Sequence, residues 1–226
     1  MPERPGPIAG VVFDMDGVLL DSEQVWDAVR QDLVAETGGT WVEGAHHDMM
    51  GMSSHEWPPY MRDRLGVPMT PAEISAEVVR RLSERYRASL PLLPGAAGAV
   101  RRMAREWPLA VASSSNRELI ELALALAGVR ECFAAVVSSE EVPRGKPAPD
   151  VYLEAAARIG APAAACAAVE DSSNGIRAAA AAGMRVVVIP NAHYPPDPSA
   201  VALGHVIVTA VAGLTPDVVA RTADAP

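Results

Sequence analysis

The sequence predicts an α/β fold: a doubly wound, Rossmann-like parallel sheet with a helical cap domain inserted after the first strand. Three observations lead there. Short runs rich in Val, Ile and Ala recur with little polar alternation, as strands buried on both faces should. From Leu109 onward, stretches with helical character separate them, which implies right-handed βαβ units. Finally, about 95 residues lie between the first run and the second, far beyond an ordinary crossover.

The strand runs are 8–13, 109–112, 134–137, 165–169 and 185–189, with 205–209 a weaker sixth. Helical character follows at 117–126, which carries Leu119, Ile120, Leu122, Ala123 and Leu126. It recurs at 149–159 behind a proline, and at 173–182, an Ala-rich stretch closed by Gly183. Within the long insert, residues 23–36 bring Trp26, Val29 or Arg30, Leu33 and Val34 to helical spacing. Thr70-Pro71-Ala72-Glu73 is a capping box with proline at the first helical position. The helix it opens carries Ile74, Val78, Leu82 and Tyr86 on one stripe. These boundaries divide the chain into a core of 1–21 and 92–226 and a helical cap of 22–91, with hinges near Asp21–Ser22 and 91–95.

Composition narrows the function. The 226 residues carry 28 Asp+Glu against 19 Lys+Arg, a net charge of −9, and lack the basic face a general nucleic-acid binder needs. No apolar run approaches the ~20 residues of a membrane span, and residues 1–10 show no signal-peptide pattern. Cys132 and Cys166 make no disulfide framework and read as inert core thiols. The expectation is a cytoplasmic protein, monomeric or weakly dimeric, that binds neither nucleic acid nor membrane.

In open parallel sheets, ligands bind at the carboxyl ends of strands. There the sequence places Asp14, Met15, Asp16 and Gly17; then Ser113, Ser114 and Ser115; then Gly145-Lys146-Pro147; then Glu170 and Asp171. Asp14 and Asp171 are hard oxygen donors from separate segments, suited to Mg²⁺. Lys146, the only lysine among nineteen basic residues, supplies a compact point charge that arginine does not replace. Ser113 offers a hydroxyl, and the backbone N–H groups of residues 15–17 and of Ser114 offer an anion cradle. With charge balanced, one carboxylate can attack phosphorus, and the other can protonate the leaving oxygen.

Asp14-Met15-Asp16-Gly17-Val18-Leu19-Leu20-Asp21-Ser22-Glu23 resembles the first motif of the haloacid dehalogenase superfamily, in the branch with a helical cap after that motif. Ala112-Ser113-Ser114-Ser115, Gly145-Lys146-Pro147-Ala148-Pro149-Asp150 and Glu170-Asp171-Ser172-Ser173-Asn174-Gly175 match the later three motifs, in order. The resemblance implies an Asp14 nucleophile and an Asp16 general acid/base whose backbone carbonyl also binds Mg²⁺. It implies Asp171 as the second carboxylate ligand and Glu170 acting through a metal-bound water. Ser113, Ser114 and Lys146 would hold the phosphoryl oxygens. Members that dehalogenate lack the second aspartate, so a phosphatase of a small sugar or polyol phosphate is expected. The alternative is a sugar-phosphate mutase like β-phosphoglucomutase. Aligned through Gly51, Ser54 stands where the mutase has a cap arginine and Trp26 where it has a histidine, which favours hydrolysis. Arg62 or Arg64 remains available to substitute in space.

Five of the ten aromatics (Trp26, Trp41, Trp57, Tyr60, Tyr86) and five of the nine methionines (Met49, Met50, Met52, Met61, Met69) fall in 22–91. They read either as an adaptable substrate wall or as the core of a small helical domain. His46, His47, Asp48 and His55 meet no zinc-ligand spacing and read as solvated or capping residues.

Overall fold

A computed structural model describes residues 7–222, so both ends of the expected core lie outside the described residues. In chain order the elements are β1 (Gly10–Phe13), α1 (Glu23–Glu36), α2 (Ala45–Met49), α3 (Trp57–Asp63) and α4 (Pro71–Ala88). Then come α5 (Ala96–Met103), β2 (Leu109–Ser113), α6 (Arg117–Leu126), β3 (Phe133–Ser138), α7 (Asp150–Arg158) and β4 (Cys166–Glu170). The chain finishes with α8 (Ser173–Ala181), β5 (Arg185–Val188), α9 (Pro198–Val201), β6 (Val206–Ile207) and α10 (Pro216–Arg221). The six strands form one parallel sheet in the order β3-β2-β1-β4-β5-β6.

Both faces of the sheet are covered, and the period-2 alternation of strand side chains sorts them. Val12, Ala110, Ala112, Ala168 and Val186 pack with Val151, Tyr152 and Ala155 of α7 and with Ile176 and Ala179 of α8. Val11, Phe13, Val111 and Val169 point the other way, onto α5 and α6. That second cluster continues without a break into the insert, through Met15, Leu20, Trp26, Trp57 and Tyr86. Small alanines on β2, β4 and α8 let helix and sheet approach closely, so the Ala-rich tract is packed helix rather than low-complexity linker.

The insert is helical throughout, from α1 to α4. The capping box at Thr70 forms as expected, with Glu73 N–H bonded to the Thr70 hydroxyl and the Glu73 carboxylate to Thr70 N–H. Helices α2 and α3 have no sequence expectation behind them. Both are short; α2 begins behind Gly44 at φ 84° and α3 carries proline in its first turn. The two chain crossings into the insert pair with one another: Leu20 bridges Leu92 antiparallel, Asp21 N–H donates to the Pro91 carbonyl, and Leu93 N–H to that of Leu19. Among the described residues, no helix is long and apolar enough to cross a membrane.

Candidate active site

Strand register decides which side chains meet. Phe13 pairs with Val169, which sets Asp14 level with Glu170. It also pairs with Val111, which sets Asp14 level with Ala112, one residue before Ser113. β1 and β4 are adjacent, yet the chain leaves them toward opposite edges of the sheet. A crevice therefore opens between their carboxyl ends.

The floor of that crevice is a buried ionic network. Lys146 donates to Asp14 Oδ1 at 2.8 Å and to Glu170 Oε1 at 2.6 Å, and is only 7% exposed. Glu170 Oε1 also accepts from the Tyr152 hydroxyl at 2.7 Å. Its Oε2 accepts from the N–H groups of Asp171 and Ser172 and from the Ser172 hydroxyl, at 3.0 to 3.1 Å. Both oxygens of Glu170 are thus committed to protein. Asp171 differs: Asn191 donates to its Oδ2 at 3.2 Å, while Oδ1 is buried with no donor.

Charge in this network is out of balance. Burial, with Glu170 and Asp16 close by, pushes Asp14 up to about 8 despite the attraction of Lys146. Burial and repulsion from Glu170 and Asp14 hold Asp171 well above the usual carboxylate range. Burial also works against Lys146 and Glu170, but Asp14 and then Glu170 hold the ammonium above its ordinary value, and Lys146 holds the Glu170 carboxyl below. One ammonium does not compensate three buried carboxylates. Asp14, Glu170 and Asp171 each bring an oxygen within 4.8 Å of the others, and among the described residues they are the one such group of metal-ligating side chains. The unpartnered Oδ1 of Asp171 and the surplus negative charge both fit a hard divalent cation.

Gly17 makes this approach possible. Its φ of +81° disfavours any side chain, and a Cβ there would sit 1.8 Å from Asp171 Oδ2. Gly17→Ala should therefore displace Asp171 and lower kcat/KM for any substrate by about 10²-fold, as a misplacement of about 1 Å does. Steady-state kinetics check this, and an unimpaired variant would show that Asp171 tolerates the shift.

Asp16 is held by hydroxyls. Its Oδ1 accepts from Ser22 at 2.5 Å, and its Oδ2 from Ser115 at 2.7 Å and more weakly from Ser113 at 3.4 Å. Ser113 itself is fully buried, and its Oγ accepts the Ser115 N–H at 3.0 Å. Ser114 and Ser115 line the cleft. Their carbonyls are pinned from β3, by hydroxyls of Ser139 and Ser138 respectively.

The cleft measures about 430 Å³ and is roofed by the insert through Glu23, Trp26, Arg30, Trp57 and residues 49–52. Trp26, Trp57, Met49, Met50 and Met52 line it, whereas Met61 and Tyr86 are buried in the helical core. The aromatic and methionine residues of the insert thus divide between wall and core. Tyr194, Pro195, Pro196 and Asp197 close one side, so the proline-rich loop after β5 shapes the site.

Neither Ser54, Arg62 nor Arg64 lines the cleft; Arg62 is exposed and pairs with its neighbour Asp63. Two arginines do line the cleft: Arg177, which pairs with Asp197, and Arg30 of the insert, which pairs with no carboxylate among the described residues. The Arg30 guanidinium lies 4.6 Å from the Trp26 ring and 5.1 Å from the Trp57 ring, and burial lowers it to about 10. Glu23, two turns earlier on the same face of α1, is raised by burial and by Asp16 to about 7. A charged residue on the apolar stripe of α1 was the available signal. Asn191, three residues beyond the end of β5, is a site residue with no sequence expectation behind it. His46, expected to be solvated or capping, is only partly exposed: its ring nitrogens are buried, it contacts Asp27, and its ring lies 4.5 Å from that of Tyr194, tilted by 43°. Cys166 is fully buried and its thiol is pushed up to about 11 by burial, consistent with an inert core residue.

Over residues 8–183 the sequence matches the family model of haloacid dehalogenase-like hydrolases. It is 35% identical to hexitol phosphatase B of Escherichia coli O157:H7 over 221 residues, 93% of this chain and 96% of that one. It is 34% identical to a probable pseudouridine-5'-phosphatase of Drosophila melanogaster over 189 residues, covering 80% of each. The crystal structure of CbbY from Rhodobacter sphaeroides in complex with phosphate superposes with a TM-score of 0.82 at 25% identity, over 92% of this chain and 96% of that one.

Proposed function

Because this chain belongs to the haloacid dehalogenase-like hydrolases, we propose that it is a Mg²⁺-dependent phosphatase of a small sugar or polyol monophosphate, working through an aspartyl-phosphate. One observation carries the reading. Asp14, Ser114, Lys146 and Asp171, from four strand ends, line a single cleft with a buried carboxylate oxygen left unpartnered.

Each residue has a part in this mechanism. Asp14, with one oxygen fixed by Lys146, presents the other to phosphorus. Lys146 and the N–H of Ser114 receive the phosphoryl oxygens, joined by the Ser113 hydroxyl once it leaves Asp16. Asp16, released from Ser22 and Ser115, protonates the leaving alcohol and then takes a proton from the attacking water. Asp14, Asp171 and the Asp16 carbonyl would hold Mg²⁺, which neutralises charge on the transferring group when bound. Glu170, expected to act through a metal-bound water, has both oxygens engaged by protein donors and instead orients Lys146 from behind. Residues 22–91 act as a cap domain that excludes bulk water from a core of 1–21 and 92–226.

Hydrolysis is favoured over the mutase alternative. Trp26 occupies the cleft where the mutase has a histidine, and Arg62 and Arg64 stay outside it. The relatives named for phosphatase activity, one of hexitols, point the same way. The test is phosphate release from a panel of sugar, polyol, nucleotide and glycolate phosphates, with Mg²⁺ and after EDTA. Release that requires Mg²⁺ is expected. An isomerised sugar phosphate in place of free phosphate would establish the mutase, and no turnover of any ester would overturn both.

A further inference from the structure

Arg30 is a buried cation in the roof of the cleft. It is 6% exposed, its Nε–H is buried without an acceptor, and among the described residues no carboxylate lies within salt-bridge distance of it. Two indole rings lie 4.6 and 5.1 Å from the guanidinium, contacts that favour the cation but give its five N–H donors no hydrogen-bond acceptor. A buried charge without hydrogen bonds is costly unless something completes it. Arg30 lines the cleft, so a ligand there is placed to do so. Glu23 stands on the same helix at i, i+7 with Trp26 between them, and its carboxyl also lines the cleft with no hydrogen-bond partner among the described residues. The roof therefore sets a donor and an acceptor two turns apart along one helix, with indoles near the donor.

Which ligand completes this pair follows from charge. The floor already places Asp14, Asp16 and Asp171 against Lys146, and a transferring phosphate adds more negative charge. A second anionic group at the roof would lie next to Glu23. Hydroxyl groups have no such penalty: their oxygens accept from a guanidinium and their hydrogens are donated to a carboxylate. We propose that Arg30 and Glu23 read the substrate's alcohol, Arg30 donating to hydroxyl oxygens and Glu23 accepting from hydroxyls. The site thereby selects a polyhydroxylated monophosphate and turns away esters whose far end is apolar or anionic. This assignment rests on the phosphatase reading above and gives it a specificity-determining pair.

The experiment compares three esters of equal chain length: sorbitol 6-phosphate, hexyl phosphate, which lacks the hydroxyls, and 6-phosphogluconate, which ends in a carboxylate. Wild-type protein with Mg²⁺ should prefer sorbitol 6-phosphate to both by at least about tenfold in kcat/KM. Arg30→Met retains the apolar stem between the indoles and removes the donors. It should cut the sorbitol-to-hexyl ratio of kcat/KM by about 10- to 100-fold, mainly through KM. Arg30→Lys should lower the ratio less, and carries the test if the methionine variant does not fold. Glu23→Gln should raise 6-phosphogluconate relative to sorbitol 6-phosphate. Equal losses on all three esters in both Arg30 variants would make Arg30 a packing residue and overturn the assignment. So would a wild-type preference for 6-phosphogluconate that Arg30→Met abolishes, which would make the roof an anion site. In either case phosphate release from hexyl phosphate leaves the phosphatase reading standing, whereas no release from any ester removes both.

Discussion

An Asp14→Asn variant should fold as the wild type does and release phosphate at least about 10³-fold more slowly, because an amide cannot serve as the attacking carboxylate. The substitution is nearly isosteric, and the amide oxygen can still accept from Lys146 at the position Asp14 Oδ1 now holds, 2.8 Å away. It also removes a negative charge that burial, Glu170 and Asp16 all disfavour. Thermal stability in the absence of divalent cations should therefore be equal or higher, while turnover collapses. Single-turnover kinetics alongside a melting curve separate the two effects. Full activity toward an aryl phosphate would refute Asp14 as nucleophile.

The second large effect is expected at Lys146, and it reads on stability as much as on catalysis. Its ammonium, with a side chain only 4% exposed, is the shared partner of Asp14 and Glu170. In Lys146→Met both carboxylates remain, buried and without their cation, and breaking a buried pair in this way costs about 3–5 kcal/mol. Lys146→Arg retains the charge but asks a wide planar fork to enter a space built around one nitrogen 2.6 and 2.8 Å from its acceptors. That variant should bind phosphate at least about tenfold more weakly. Urea titration of the methionine variant and KM for the arginine variant are the measurements. Unchanged values in both would make the single lysine an accident of composition.

Much of this was legible in the linear chain. Strands buried on both faces announce themselves as unbroken Val, Ile and Ala runs, and five of the six were found to within a few residues. The sixth, 205–209, shrinks to two residues at the sheet edge, where little packing extends it. Helices α1, α4 and α6 were found because each presents a long stripe or a chemical cap. Short helices such as α2 and α3 lack enough turns to show a period; α3 packs on α4, and Ala45 and Met49 tie α2 into the common core. The chemistry of the floor was legible for a related reason. Backbone direction places whatever follows a strand at one rim, so Asp14, Lys146, Glu170 and Asp171 could be gathered by position alone.

By itself, then, the order of residues determined the sheet, the inserted helices and the acidic rim, since each depends on local periodicity or on the polarity of the strands. Tertiary structure decided the rest: that Glu170 spends both oxygens on protein while Asp171 keeps one free, that hydroxyls from the hinge and β2 hold Asp16, and that Arg30 rather than Arg62 or Arg64 faces the cleft. Those outcomes turn on distances of a few tenths of an ångström and on which side of a helix meets water, and neither is encoded by spacing along the chain.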